Sequence, residues 1–139
     1  MFLLDTNVVS EVAKLASDET VIRWLDNHAQ DELFISAVTV HELRYGIERL
    51  PPSRKRAAHE KAFDTLMASG FSSRILVLDL KSAVASGKIE AAGKLAGKPI
   101  GLGDCMIAGI AIANNATVVT RNVKHFEQTG VKLVNPWSN

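Results

Sequence analysis

Phe2-Leu3-Leu4-Asp5-Thr6-Asn7 carries the most telling transition in the chain. An apolar run followed at once by residues that favour turns and helix N-caps predicts a short buried strand whose carboxyl end delivers Asp5. In open α/β sheets that edge is where ligands bind. Val8, Val9, Val12 and Leu15 then suggest a helix immediately after the strand. Asp5 reads as its N-cap as readily as a site residue, because Asp, Thr and Asn all favour that position. Taken alone, the cap reading leads.

The same alternation of apolar runs and helical patterns continues outward. Thr20 to His28 carries Val21, Trp24, Leu25 and His28 at helical spacing, and Leu33-Phe34-Ile35 makes a second strand. Val38 to Leu50 is helical, with Thr39, Leu43, Gly46, Ile47 and Leu50 as its apolar stripe. Pro51-Pro52 stops it and Ser53 caps a successor whose buried face is Ala58, Ala62, Phe63, Leu66 and Met67, ending at Gly70. The two helices are expected to pair antiparallel. Ile75-Leu76-Val77-Leu78 is a third strand, and the next helix presents Leu80, Ala83, Val84, Gly87, Ala91 and Leu95 as one face of mostly small residues. Thr117-Val118-Val119 and Val131-Lys132-Leu133-Val134 complete the strands. Strands alternating with helices, without repeats or an obvious linker, define an α/β fold.

Two further carboxylates join Asp5. Gly101-Leu102-Gly103-Asp104 opens the run Cys105 to Ala113, apolar on every face, so its helix is expected to be buried with Asp104 in the first turn, where the helix dipole favours an anion. Capping and function are evenly matched at this position. Glu42 falls at the margin of the Val38 to Leu50 stripe, since each residue advances about 100°. A lone helical Glu near Arg44 or Arg49 is usually a solvated one, and only the other two acids raise it. Asn122, after Thr120-Arg121, supplies oxygens without charge and by itself reads as a turn or cap. Placed together at predicted sheet edges and a buried helix turn, the acids suit a divalent cation, because Mg²⁺ takes hard oxygen ligands and keeps several waters.

Composition bounds the rest. With 139 residues and 47% hydrophobic content, the chain is expected to form one domain with a real core, residues 1–139. No apolar stretch approaches the ~20 residues of a membrane span, and the N-terminus lacks a secretory signal, so cytoplasmic residence is expected. Cys105 is the only cysteine, which excludes an intrachain disulfide and a Cys-based zinc site. The net charge of +1 does not announce nucleic acid, so any polyanion must be met locally. Arg44, Arg49, Arg54, Lys55 and Arg56 form the densest basic cluster and read first as a solvated face, with phosphate contact second. Trp137 is expected to pack against the domain rather than stack a base.

A haloacid-dehalogenase-type phosphatase would also place an Asp after the first strand, but it needs a second Asp where Asn7 stands. A Cys-His hydrolase built on Cys105 is disfavoured because that thiol lies in an apolar helix. His28, His41, His59 and His125 show no metal-ligand spacing and read as ordinary core or surface histidines.

Read in order, Leu3-Leu4-Asp5-Thr6-Asn7 with Ser10-Glu11, Val38-Thr39-Val40-His41-Glu42-Leu43-Arg44-Tyr45-Gly46, Gly103-Asp104-Cys105-Met106-Ile107-Ala108 and Val119-Thr120-Arg121-Asn122 resemble the PIN-domain ribonucleases, and among them the VapC-like and FitB-like toxins of type II toxin-antitoxin modules. Asn135-Pro136-Trp137 looks more like the FitB-type branch. The resemblance covers essentially the whole chain. It implies a three-layer PIN-like sandwich, with a mostly parallel sheet of roughly four to five strands between helices. It also implies a Mg²⁺-dependent endoribonuclease, Mn²⁺ serving as a substitute, that hydrolyses RNA through a metal-activated water. Asp5, Glu42 and Asp104 match the acidic metal-site and catalytic positions, and Thr6 and Thr120 match supporting polar residues. The fourth acidic position of many members corresponds to Asn122, a departure that favours one firmly held ion at Asp5 and Asp104, Glu42 reaching it through water or acting as base, and leaves the second ion open. The implied partners are an RNA substrate and a VapB/FitA-like antitoxin that carries any DNA contact; homodimerisation is expected separately, because the Ala- and Gly-rich helical faces around Ala83 to Ala96 and the antiparallel helix pair offer more apolar area than a small sheet covers. The alternative is a non-catalytic or weakly catalytic PIN module acting mainly as partner of a DNA-binding antitoxin.

Overall fold

The computed structural model describes residues 1–138; Asn139, the last residue of the expected domain, lies outside the described residues. Strand β1 (Phe2–Leu4) leads into α1 (Thr6–Val12), α2 (Glu19–Asp26), β2 (Leu33–Ser36), α3 (Ala37–Glu48) and α4 (Arg54–Thr65). Then come β3 (Ile75–Leu76), α5 (Leu80–Leu95), α6 (Leu102–Ala113), β4 (Thr117–Val119), α7 (Val123–Phe126) and β5 (Lys132–Val134). All strand pairs are parallel, and the five-stranded order is β3-β2-β1-β4-β5. β1 is therefore central, paired through Leu3 with Phe34 of β2 and through Leu3 and Leu4 with Val118 and Val119 of β4. The chain reverses its direction of travel across the sheet beside β1, which makes the carboxyl ends of β1 and β4 the natural crevice.

Period-two alternation builds the layers. Leu3 and Val118 enter one core with Ile107, Ile110 and Ala111 of α6 and Ile89 of α5, whereas Leu4 and Val119 enter the other with Val8 and Val9 of α1 and Val21 and Trp24 of α2. Helix starts are set by short polar side chains: Asp18, Ser36, Ser53 and Asp79 each accept a backbone N–H of the first turn they precede. Ser53 thus performs the predicted capping role.

Three local expectations change. Helix α1 stops at Val12, and Leu15 lies fully exposed beyond it, because the Ala13 N–H closes onto Glu11 and the turn that follows is held by Ser17. On α4, Ala58 and Ala62 are exposed; they face an open groove instead of the core. On α5 the small-residue face is reversed: Ser82, Ser86, Ile89 and Gly93 are buried, and Leu80, Val84 and Leu95 are exposed. The cause is Gly109 of α6, whose missing side chain lets the α5 backbone approach; a Cβ there would stand 2.5 Å from the Ser82 carbonyl oxygen and 2.8 Å from the Ser86 nitrogen. The α5 side meeting α6 must be the one that tolerates that approach.

Candidate functional site

Asp5, Glu42 and Asp104 come from β1, α3 and α6 and line one cavity of about 490 Å³ together with Thr6, Asn7 and Asn122. Asp5 lies at the sheet edge, 5% exposed, its backbone N–H bonded to the Val119 carbonyl at 2.9 Å. Its Oδ1 accepts the Thr6 backbone N–H at 2.8 Å, so the residue does cap α1. Its Oδ2 accepts the Thr120 hydroxyl at 2.8 Å and the Asn7 amide at 3.1 Å. Capping and site placement are therefore one geometry. The strand end that must start a helix also aims a carboxylate outward.

Thr120 is buried at the corresponding end of β4, where its N–H reaches Val134 of β5 and its hydroxyl oxygen accepts the Asn122 N–H at 3.0 Å. Asn7 ties the same two loops together, its Oδ1 accepting the Arg121 N–H at 3.2 Å. Thr6 serves the third element: its hydroxyl donates to Glu42 Oε1 at 2.8 Å and lies 3.1 Å from the buried Thr39 hydroxyl, one turn before Glu42 on α3. Asp104 occupies the first turn of α6, and the absence of a side chain at Gly103 is what Glu42 exploits, since a Cβ there would meet Glu42 Oε2 at 3.4 Å.

The three carboxyls all stand above their ordinary pKa. For Asp5 burial is the cause, partly offset by the hydrogen bonds from Thr120, Thr6 and Asn7. Glu42 is raised first by burial, against the Thr6 hydrogen bond, and then by the charges of Asp5 and Asp104. Asp104 is raised by burial and then by Asp5, with His125 opposing. The acids thus feel one another's charge across the cavity. Among the described residues, no three His, Cys, Asp or Glu side chains converge closely enough to enclose a metal ion directly. What converges is a set of hard oxygen donors around shared space.

All the residues singled out from the sequence, Asp5, Thr6, Glu42, Asp104, Thr120 and Asn122, meet here, although Asn122 lines the cavity without a side-chain capping bond and Thr120 acts from behind Asp5. His125 is an exposed surface histidine that also meets the site: its Nδ1 lies 3.1 Å from Asp104 Oδ2, because the short α7 turn carries it back toward the α6 N-terminus. Trp137 packs on the α1/α2 core as expected and also lines the cavity, beneath the Arg121 guanidinium at 5.2 Å from the ring centroid. Asn7 was the most readable of the missed residues, since it lies beside Asp5 in sequence; His125, Arg121 and Trp137 gave no spacing signal. Of the basic cluster, Arg44 and Arg56 are occupied by Glu48 and Glu60.

A second, apolar groove of about 820 Å³ runs between α1, α3 and α4, lined by Val9, Leu43, Ile47, Ala62, Phe63 and Leu66, and it opens onto the acidic cavity at Thr6, Ser10 and Glu42.

Comparison with known proteins agrees along the full length. The VapC ribonuclease Y4jK of Sinorhizobium fredii (strain NBRC 101917 / NGR234) is 35% identical over 137 residues, covering 99% of this chain and 98% of the relative. Toxin FitB of Neisseria gonorrhoeae (strain ATCC 700825 / FA 1090) is likewise 35% identical, covering 99% of both chains. Among solved structures, FitAB bound to the IR36 DNA fragment superposes with a TM-score of 0.89 at 34% identity, covering 99% of this chain and 96% of that one. The PIN domain family model matches residues 2–132, from the first strand into the last, so the central parallel sheet with an acidic crevice at its carboxyl edge is that of a PIN domain, and the chain belongs to the PIN domain family.

Proposed function

We propose that this chain is the toxin of a type II toxin-antitoxin module, an endoribonuclease that hydrolyses RNA phosphodiester bonds with a divalent cation held at Asp5 and Asp104 and with Glu42 beside it. The observation that carries this reading is the convergence of three carboxylates, from positions 5, 42 and 104, on one cavity, where burial first and then neighbouring acids hold Glu42 and Asp104 above their ordinary pKa. Such a cluster is costly to ionise without a cation, and its donors are the hard oxygens that Mg²⁺ or Mn²⁺ prefers. Mg²⁺ also keeps waters in its shell, so carboxylates that line shared space without closing on a point suit it.

When bound, the cation supplies positive charge that lets an RNA phosphate approach the acids and offsets charge building on the phosphoryl oxygens. The chain does the positioning. Thr120, Thr6 and Asn7 lock the Asp5 carboxylate in one orientation, and Thr6 fixes Oε1 of Glu42 while Oε2 stays turned toward Gly103. Glu42, half-buried and raised in pKa, is placed to take a proton from an attacking water. Asn122 contributes no charge. Three carboxylates against the four positive charges of two divalent ions favour one firmly held ion and leave the second open.

A single PIN-like domain resident in the cytoplasm fits this role; no helix among the described residues is long and apolar enough to cross a membrane. The groove between α1, α3 and α4 is the seat for the antitoxin: it is apolar, and a segment lying in it ends at Thr6 and Glu42, where a basic side chain would neutralise the acids. DNA is met through that partner. The exposed face of α5, with Leu80, Val84 and Leu95 uncovered, is the homodimer surface.

The test is to induce the wild type and Asp5→Ala in cells and map new RNA ends. Ends that appear only with the wild type support the proposal. Equal ends with both proteins, or none with either, refute it and favour the non-catalytic partner module.

A further inference from the structure

The acids explain how an RNA phosphate could react but not how the rest of a polyanion is tolerated beside them. Lys14, Arg121 and His125 are the cationic or potentially cationic side chains that line the cavity. Lys14 is held by Glu11 at 2.6 Å, and His125 by Asp104 at 3.1 Å. Arg121 is exposed and has no carboxylate partner among the described residues, yet it is not loose: its guanidinium lies over the Trp137 ring, and its backbone N–H is fixed by Asn7, the residue that also holds Asp5. The neighbouring Asn122 N–H is fixed by Thr120, the other holder of Asp5.

We propose that Arg121, stacked on Trp137, binds a backbone phosphate of single-stranded RNA next to the scissile one and so sets the strand's register over Asp5, Glu42 and Asp104. This rests on the nuclease reading and adds the residue that orients its substrate. A guanidinium presents a planar fork of donors matched to phosphate oxygens, and its stacking face remains free to lie on an indole while the edge binds. Trp137 thereby pre-sets the fork and lowers the conformational freedom lost on binding. Because the backbone N–H groups of Arg121 and Asn122 are bonded to Asn7 and Thr120, two of the residues that hold Asp5, the base of the Arg121 side chain is tied to the acids and the Trp137 ring directs its far end.

The experiment measures binding of a fluorescent, random-sequence, 2′-O-methyl single-stranded oligonucleotide in Mg²⁺ across a salt series, alongside cleavage of the unmodified RNA pool. Losing one phosphate contact lowers the slope of log affinity against log salt by ~0.7 for a single strand. Arg121→Ala is expected to show that reduced slope with an unchanged melting temperature, Arg121→Lys to restore the slope, and Trp137→Leu to weaken binding at an unchanged slope. A wild-type slope in Arg121→Ala, while the wild type cleaves and Asp5→Asn does not, overturns this inference and leaves the nuclease reading standing. Failure of the wild type both to bind and to cleave overturns both.

Discussion

At the level of single residues, Asp5 shows why the site could be read only in part from the sequence. Its cap role and its site role were competing explanations, yet the folded chain uses both oxygens at once, one for the Thr6 N–H and one for Thr120 and Asn7. Thr120 is therefore predicted to act through Asp5. Thr120→Val keeps the shape and removes a hydrogen bond to a charged group, so it should cost about 1.5–3 kcal/mol of stability, read as a lower denaturation midpoint, and activity should fall with it. Glu42→Gln tests the charge cluster separately, because the amide oxygen can still accept from Thr6. With metal removed, the variant should melt above the wild type. The sign follows from the raised pKa: the folded chain holds these protons more tightly than the unfolded one, so ionised Glu42 destabilises above its folded pKa, and that penalty disappears as pH falls through it. The melting-temperature gap between variant and wild type should consequently open toward neutral pH and close in acid; a gap constant with pH would contradict the raised Glu42 pKa, which burial causes first and the charges of Asp5 and Asp104 add to.

Among the elements, helices and strands followed the hydrophobic period closely, and faces did so less well. Every predicted strand exists, although β3 shortens to Ile75–Leu76, leaving Val77 and Leu78 exposed. The α5 face could not be read because its burial is decided by a partner helix: Ser82 and Ser86 pack on Gly109, Gly93 packs on the Lys98–Ile100 loop, and Leu80, Val84 and Leu95 look outward while Ile89 is buried. Gly109→Ala should consequently cost about 1–3 kcal/mol through overpacking, whereas Gly87→Ala, with open space around it, should be neutral or stabilising. Equal effects of the two substitutions on the unfolding midpoint would show that α5 and α6 do not approach as described. The exposed face carries its own prediction. Val84→Glu should convert a dimer to a monomer in sedimentation velocity without lowering the monomer's helical content; an unchanged sedimentation coefficient would remove α5 from the interface.

For the whole molecule, two cavities share Thr6, Ser10 and Glu42, one acidic and one apolar, and under the proposed function that shared wall is what links docking to inhibition. A peptide that fills the groove necessarily borders the acids. The α/β class and the mostly parallel sheet of roughly four to five strands were legible from strands alternating with helices, but the order that puts β1 between β2 and β4 was not, because alternation does not say on which side of β1 the later strands return. The long-range pairings that finish the site were not legible either: Thr120 to Asp5, His125 to Asp104 and Arg121 over Trp137 span turns and chain ends that carry no periodic signal. They come from where the carboxyl edges of β1, β4 and β5 gather their loops. Every functional consequence drawn from that edge depends on the three acids acting together through a divalent cation. The most direct measurement is cleavage of a fixed pool of single-stranded RNA by purified protein with Mg²⁺ or with EDTA, comparing the wild type with Asp5→Asn, Glu42→Gln and Asp104→Asn. The account predicts Mg²⁺-dependent cleavage by the wild type and its loss in each variant while the fold is retained. Cleavage that persists in EDTA, or in Asp5→Asn at the wild-type rate, would contradict it.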